Sequence, residues 1–326
     1  MTPIYNTFLQ ARWAEVIVHV FVGTAKPVSE TSAASERAVR RKMSLLAIKS
    51  YLQRSFKRLG IYERVKTSWI YDFYWKLADR RIIDNRRKEL DFYRDLLVGF
   101  RDGDLIFDVG ANQGFKTDIF LRLGAAVVAV EPDDFCQGVL RQKFLRYRRK
   151  AKPVVIVGKA ASDGSGVTRL WIDAPGSWMN TLSPKWAETL RVDTTRFGQS
   201  LSFERSKEVE TISLQDLVAA HGSPFFVKID VEGHELAVLH GLQRPVPYLS
   251  FEVNLPEFKT EGMECVRTLE RLAAESEFNY THDCREGLIL PQWHRAEQFL
   301  PILDSCRHTS VEVFWRALRD VPGGER

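Results

Sequence analysis

Two short stretches hold the residues whose types and spacing could do chemistry. The first, residues 105–132, reads LIFDVGANQGFKTDIFLRLGAAVVAVEP. Asp108, Gly110, Asn112 and Gly114 follow its first apolar run, and Glu131 follows its second. The other, residues 225–241, reads FFVKIDVEGHELAVLHG and sets Asp230, Glu232, His234 and Glu235 behind an apolar run. Acids and an imidazole at the carboxyl end of a buried strand stand where α/β proteins do their chemistry. Such groups can take a proton from a substrate, so Asp230, Glu232 and His234 are candidate catalytic residues. Their alternate spacing also admits a divalent cation, although nothing in the pattern demands one and no metal is expected.

The elements that must position these groups are legible in the first stretch. Its order is strand, glycine turn, helix, strand, acid: one βαβ unit of a parallel sheet. Gly110 and Gly114 lack Cβ, so the backbone can bend sharply and a ligand can approach it. The helix beginning near Gly114 offers free N–H groups and a positive dipole end. Glu131 is placed to accept hydrogen bonds from a ribose diol. The turn reads D-x-G-x-x-x-G, not the G-x-G-x-x-G of a dinucleotide site, so an NAD-linked oxidoreductase is disfavoured. Asp108 opposes a pyrophosphate and favours a neutral or cationic ligand. S-adenosylmethionine carries a sulfonium and an ammonium, and is the expected cofactor. Asp108, Gly110, Ala111, Asn112, Gly114 and Glu131 are its expected partners. After a third strand at 154–157, a small-residue turn ends in an acid. Asp163, or the backbone at Ala161 and Ser162, is placed to meet the adenine edge; an ordinary Asp-Gly turn is the alternative.

Composition bounds the rest. The 326 residues suffice for one large domain or two moderate ones, with a self-sufficient core. The net charge of +5 is uneven: residues 37–101 hold 18 Lys/Arg against 7 Asp/Glu, whereas residues 102–326 hold 27 against 32. Cys136, Cys265, Cys284 and Cys306 form no C-x-x-C pair, so a reducing, cytoplasmic setting fits. No run approaches the ~20 apolar residues of a membrane span. Residues 16–22 are apolar but short and broken by His19, without the basic start and cleavage site of a signal peptide. Residues 1–42 read as a flexible or weakly packed extension, with Met43 a candidate natural start. Residues 43–101 read as a basic helical segment rich in aromatics, including Trp69, Tyr71, Phe73, Tyr74 and Trp75. Docked amphipathic helices with solvated Arg and Lys are the plain reading; a lid, or a surface for an anionic partner, are the sharper ones. Residues 317–326 form a tail.

Further along, helices are expected at 137–150, 213–220 and 264–276, with Ser213 capping the second and Asp216 beside it. Extended pieces at 167–172 and 208–212 flank a long polar loop, 174–206, with Trp178, Asn180, Thr181, Trp186 and Arg196 placed to line an acceptor site. Strands are expected at 247–253, 278–281 and 310–316, giving seven in all.

The sequence β–DVGANQG–α–β–EP, followed by β–KIDVEGHE–α and β–SFEVN, resembles the FkbM family of S-adenosylmethionine-dependent methyltransferases over about residues 102–316. The resemblance implies a Rossmann-like class I methyltransferase domain: an α/β sheet of seven strands in the order 3-2-1-4-5-7-6, strand 7 antiparallel, here with an N-terminal helical extension. It implies O-methylation of a hydroxyl on a saccharide or natural product. It also implies that Asp108, Gly110, Asn112 and Gly114 form the first cofactor motif, that Glu131 meets the ribose, and that Asp230 faces the transferred methyl. Lys116-Thr117 departs from the aromatic or small residues common at that place. The proton acceptor is expected among His234, Asp230 and Glu232, with Glu252 one strand away; a purely structural His234 is the alternative. A nucleic-acid methyltransferase using the basic segment and a non-catalytic partner-binding protein remain open. No RNA-binding module is recognisable, and Val231-Glu232 stand where a flipped base would want an aromatic ring, so no nucleic-acid partner is expected.

Overall fold

The computed structural model describes residues 80–145, 147, 154–193 and 201–318. The readings made for residues 1–79 and 319–326, including Met43 as a start, lie outside the described residues.

The first described element is helix α1 (Arg80–Leu96), followed by β1 (Leu105–Val109), α2 (Phe115–Leu123), β2 (Ala126–Val130), α3 (Asp134–Lys143) and β3 (Val154–Val157). Next come β4 (Ala160–Ser162), β5 (Gly166–Ile172), α4 (Pro184–Val192), β6 (Arg205–Ser213) and α5 (Leu214–His221). The last part holds β7 (Phe226–Ile229), α6 (Glu235–His240), β8 (Tyr248–Asn254), α7 (Lys259–Leu272), β9 (Ser276–Thr281), α8 (Ala296–Asp304) and β10 (Ser310–Ala317).

Seven strands form the main sheet in the order β3-β2-β1-β7-β8-β10-β9, with β10 antiparallel to both neighbours. Counting only its own strands, this is 3-2-1-4-5-7-6, the order the resemblance implied. The strands are apolar on both faces because helices cover both. On one face Tyr93 of α1, Phe120 of α2 and Leu140 of α3 meet Ile106, Phe226 and Phe314. On the other, Leu217 of α5, Leu239 of α6, Leu269 of α7 and Phe299 of α8 meet Phe107, Val227 and Phe251. A second, three-stranded sheet, β4-β6-β5, carries the long insertion. Among the described residues no helix is long and apolar enough to cross a membrane.

Several boundaries differ from expectation for local reasons. Helix α3 starts at Asp134 because the Asp133 carboxylate caps it, accepting from the N–H groups of Phe135 and Cys136. Helix α7 starts at Lys259 and runs through Gly262, which reads as a breaker. That glycine is there for packing: a Cβ on it would lie 2.6 Å from Val253. Helix α4 interrupts the stretch read as loop; Ser183 caps it and Pro184 takes its first turn. Helix α8 carries Pro301 inside, which hides its pattern. Ser213 caps α5 as expected, accepting from the Asp216 N–H.

The described end of the basic segment packs into the core. Glu89, Tyr93 and Leu96 of α1 share one buried face. The Tyr93 ring lies edge-on to Phe120 at 5.1 Å and 5.8 Å from Phe226. Glu89 pairs with Lys116, which gives the departure at that position a structural use. Tyr93→Ala is expected to cost about 3–5 kcal/mol, the usual range for emptying a buried aromatic site. Urea denaturation followed by circular dichroism measures it. An unchanged midpoint would show that α1 is not part of the cooperative core.

A carboxylate-lined cavity at the carboxyl ends of the strands

The glycine turn between β1 and α2 is tied to β2. The N–H groups of Gly110 and Ala111 both donate to the Val130 carbonyl, at 3.0 and 3.1 Å. Gly110 has a φ of 80°, and a Cβ there would lie 1.7 Å from the Asp230 carbonyl oxygen, so turn and post-β7 loop touch backbone to backbone. Asn112 N–H donates to Glu131 Oε2 at 2.7 Å and Asp133 N–H to Oε1 at 2.8 Å. Each oxygen of Glu131 keeps a second lone pair for a ligand. Burial pushes the Glu131 carboxyl up to about 7, against those two N–H groups, which favour its ionised form.

Across the sheet, Asp108 and Lys228 are register partners on β1 and β7. Asp108 is 1% exposed and accepts from Thr117 Oγ1, so it stands behind the turn as a support. Burial raises its pKa, although Lys228 and Thr117 draw it back. Lys228 and Asp230 are two apart and share a strand face; Lys228 Nζ lies 2.7 Å from Asp230 Oδ2. Burial works against both charges, but each holds the other: Lys228 stays above its ordinary value and Asp230 below.

Asp230, Glu232 and Glu252 each bring a carboxylate oxygen within 4.8 Å of the others. Burial and the charge of Asp230 push Glu252 up to about 8. Burial, with Glu252 and Asp230, lifts Glu232 well above the carboxylate range. Glu232 adopts a φ of 55°; with Asn112, at 47°, it is one of two non-glycine residues at positive φ among those described, and both lie in this site. Trp186 Nε1 donates to Glu232 Oε2 at 3.0 Å. Glu235 Oε1 braces the loop by accepting from the N–H groups of Val231 and Gly233. Three such oxygens are a set that could hold a divalent cation.

One cavity of about 210 Å³ joins these parts: Gly110, Asn112, Glu131, Asp230, Glu232 and Glu252 all line it. Ala160 and Ala161 line it as well, whereas Ser162 and Asp163 do not; Ser162 is buried, and the exposed Asp163 accepts from Ser162 Oγ at 3.2 Å. Gly114 closes the turn from behind, where a Cβ would lie 2.5 Å from Phe144. His234 is not brought in. Gly233, at a φ of 91°, turns the chain, and His234 Nε2 lies 3.0 Å from Ser162 Oγ. It lines a neighbouring cavity of about 250 Å³ that Glu252 also borders. Burial lowers its pKa. Sequence reasoning did not single out Lys228, although its two-residue spacing from Asp230 was a usable signal, and it set Glu252 one strand away from the cluster that it joins.

The donor set decides what fits the cavity. Glu131, Asp230, Glu232 and Glu252 line it, and no Lys or Arg does among the described residues. The ionised Asp230 suits a sulfonium or an ammonium and opposes a phosphate-bearing coenzyme, and a bound cation would draw the three raised glutamates toward their charged forms. Leu170, Leu182 and Ala161 add an apolar wall for a nucleoside base.

Sheet order, glycine turn and the acid behind β2 together define a class I methyltransferase fold. A sequence model of the methyltransferase FkbM domain matches residues 108–287, and the chain belongs to that family, whose methyl donor is S-adenosylmethionine. The chain is 31% identical over 165 residues to the 31-O-demethyl-FK506 methyltransferase FkbM of Streptomyces tacrolimicus. That match covers 45% of this chain and 62% of the relative, less than two thirds of its length. Among solved structures it is similar to an SAM-dependent O-methyltransferase of Thermotoga maritima, at 13% identity and a TM-score of 0.36, over 72% of this chain and 66% of that one. It is also similar to a precorrin-6y C5,15-methyltransferase of Geobacter metallireducens, at 10% identity and a TM-score of 0.34, over 71% and 86% of the two chains.

Proposed function

We propose that this chain methylates a hydroxyl oxygen of a saccharide or natural-product small molecule. The observation that carries the reading is the single cavity joining Glu131 and the glycine turn to the cluster of Asp230, Glu232 and Glu252. S-adenosylmethionine supplies, when bound, a methyl group already activated on a sulfonium. The residues that would hold it are the turn from Gly110 to Gly114, Glu131 and the ionised Asp230. Their task is to fix donor and acceptor in line and to exclude water. A sugar hydroxyl must also lose a proton as the bond forms. Glu252, pushed up to about 8, is matched to that task near neutral pH, and it borders the second cavity, from which an acceptor can approach. The expected base therefore moves from His234, which borders only the second cavity, to Glu252, which borders both. The FkbM relative, named for a 31-O-demethyl substrate, supports an oxygen acceptor.

Calorimetry with S-adenosylhomocysteine and with NAD tests the cofactor half: the first is expected to bind and the second not, and the reverse would overturn the reading. Incubation with methyl-labelled S-adenosylmethionine and a panel of saccharides and polyketides tests the acceptor half. With an acceptor in hand, Glu252→Gln is expected to lower turnover about 100-fold or more while S-adenosylhomocysteine affinity holds. Unchanged turnover would remove Glu252 as base.

A further inference from the structure

The insertion between β5 and α4, residues 173–183, is strapped across the site by side chains of the cofactor motif itself. Asn112 Nδ2 donates to the Ser177 carbonyl at 3.4 Å, and Gln113 Nε2 to the Gly176 carbonyl at 3.2 Å. Asp133, two residues beyond Glu131, accepts from Gly176 N–H at 3.3 Å and from Asn180 Nδ2 at 2.8 Å. Asn180 also joins the strap to itself: its Nδ2 donates to the Ala174 carbonyl and its Oδ1 accepts from Asp173 N–H. Gly176 lies flat on α3, where a Cβ would sit 2.4 Å from the Phe135 ring. These ties set Trp178 at the wall of the cavity that Glu131 lines, with 57% of the residue exposed.

We infer that this strap is part of the cofactor site, with Trp178 lying against the bound nucleoside and Asn180 the positioning residue that holds it there. The inference rests on the S-adenosylmethionine reading and adds two residues that neither the glycine turn nor the post-strand acids supply. The placement favours cofactor over acceptor: Gly176 and Ser177 are bonded to the turn, and Gly176 and Asn180 to Asp133 in the loop after β2, so Trp178 is held beside Glu131. Only the far end of the strap reaches the acid cluster, where Thr181 Oγ1 donates to the Glu232 carbonyl at 2.6 Å. An indole offers a flat, polarisable face to a base or to a sulfonium.

The test is calorimetric titration of S-adenosylhomocysteine into the full chain and three variants, with tryptophan emission recorded in parallel. Trp178→Ala is expected to weaken binding about 10- to 100-fold, the range that loss of an aromatic–base stack gives. Its melting temperature is expected to hold, because the side chain is exposed. Trp178→Phe is expected to restore affinity to within about threefold while reducing the emission change that the ligand induces, the remainder coming from Trp186 on Glu232. Asn180→Ala is expected to weaken binding about tenfold with Trp178 still present, as loss of a site-orienting hydrogen bond does. Wild-type affinity in Trp178→Ala would overturn the inference while leaving the cofactor reading intact. If the wild-type chain bound no S-adenosylhomocysteine, the cofactor reading would fall and the inference with it.

Discussion

Gly110→Ala is expected to yield a protein that no longer binds S-adenosylhomocysteine and that unfolds at a markedly lower urea concentration. The residue has a φ of 80°, where an L side chain is strained by about 1–2 kcal/mol. The added methyl would also meet the Asp230 carbonyl oxygen at 1.7 Å. That neighbour is backbone, so no rotamer change relieves the clash, and the turn and the post-β7 loop must separate. Overpacking adds about 1–3 kcal/mol, giving a total of about 2–5 kcal/mol. The same separation moves Asp230 away from Lys228 and opens the cavity. Gly138→Ala is the control: it lies inside α3 with open space around its Cβ position, and is expected to stabilise by up to about 1 kcal/mol. A Gly110→Ala protein with wild-type affinity would mean that the turn is not in contact with the ligand.

The ligand-free protein is expected to lose stability as pH rises from about 5 to 9, the opposite of the usual acid-sensitive pattern. Burial is the first cause at each of three carboxyls: Glu131 and Glu235 are pushed up to about 7 and Glu252 to about 8. In the unfolded chain they ionise near ~4.3. Between that value and the folded one the native state holds protons that the unfolded state has released. Raising pH therefore favours unfolding, and the loss is complete above the folded pKa values. At about 1.4 kcal/mol per pH unit of difference, Glu131 alone accounts for an upper limit of about 4 kcal/mol. Asp230 works the other way, its contribution being lost only as pH falls through its lowered value. Thermal melts at pH 5.5, 7 and 8.5 measure the balance, and Glu235→Gln is expected to flatten the slope. A melting temperature that climbs across that range would show these carboxyls to be better solvated than their burial implies. Cofactor affinity is expected to run in the opposite sense, rising through pH 7 as Glu131 ionises to meet the ribose diol.

What the sequence made legible was local. The βαβ unit from Leu105 to Glu131 could be read because strand, turn, helix and acid follow one another within a single stretch. The strand order was legible only through the resemblance, since periodicity gives elements and not neighbours. The site was harder. Asp230, Glu232 and His234 are evenly spaced in sequence, which suggests one cluster. The turn at Gly233 sends His234 to the other side, and Glu252, 18 residues further on, takes the third place. That exchange depends on β7 and β8 lying side by side, a fact no spacing within either strand contains. The insertion hid its order because its ties run to Asn112, Gln113 and Asp133, all far away in sequence. Its one local signal, Ser183 before Pro184, marks the start of α4 but not where the helix sits.

The placement of β10 between β8 and β9 has a consequence for biosynthesis. As the chain leaves the ribosome, β9 emerges with no neighbouring strand of the main sheet to join, because its partner there is the later β10. Until residues 310–317 have been made, the outer edge of β8 and the whole of β9 stay available for wrong pairing. A nascent chain halted before that point should therefore be a client for chaperones in a way that the finished sheet is not.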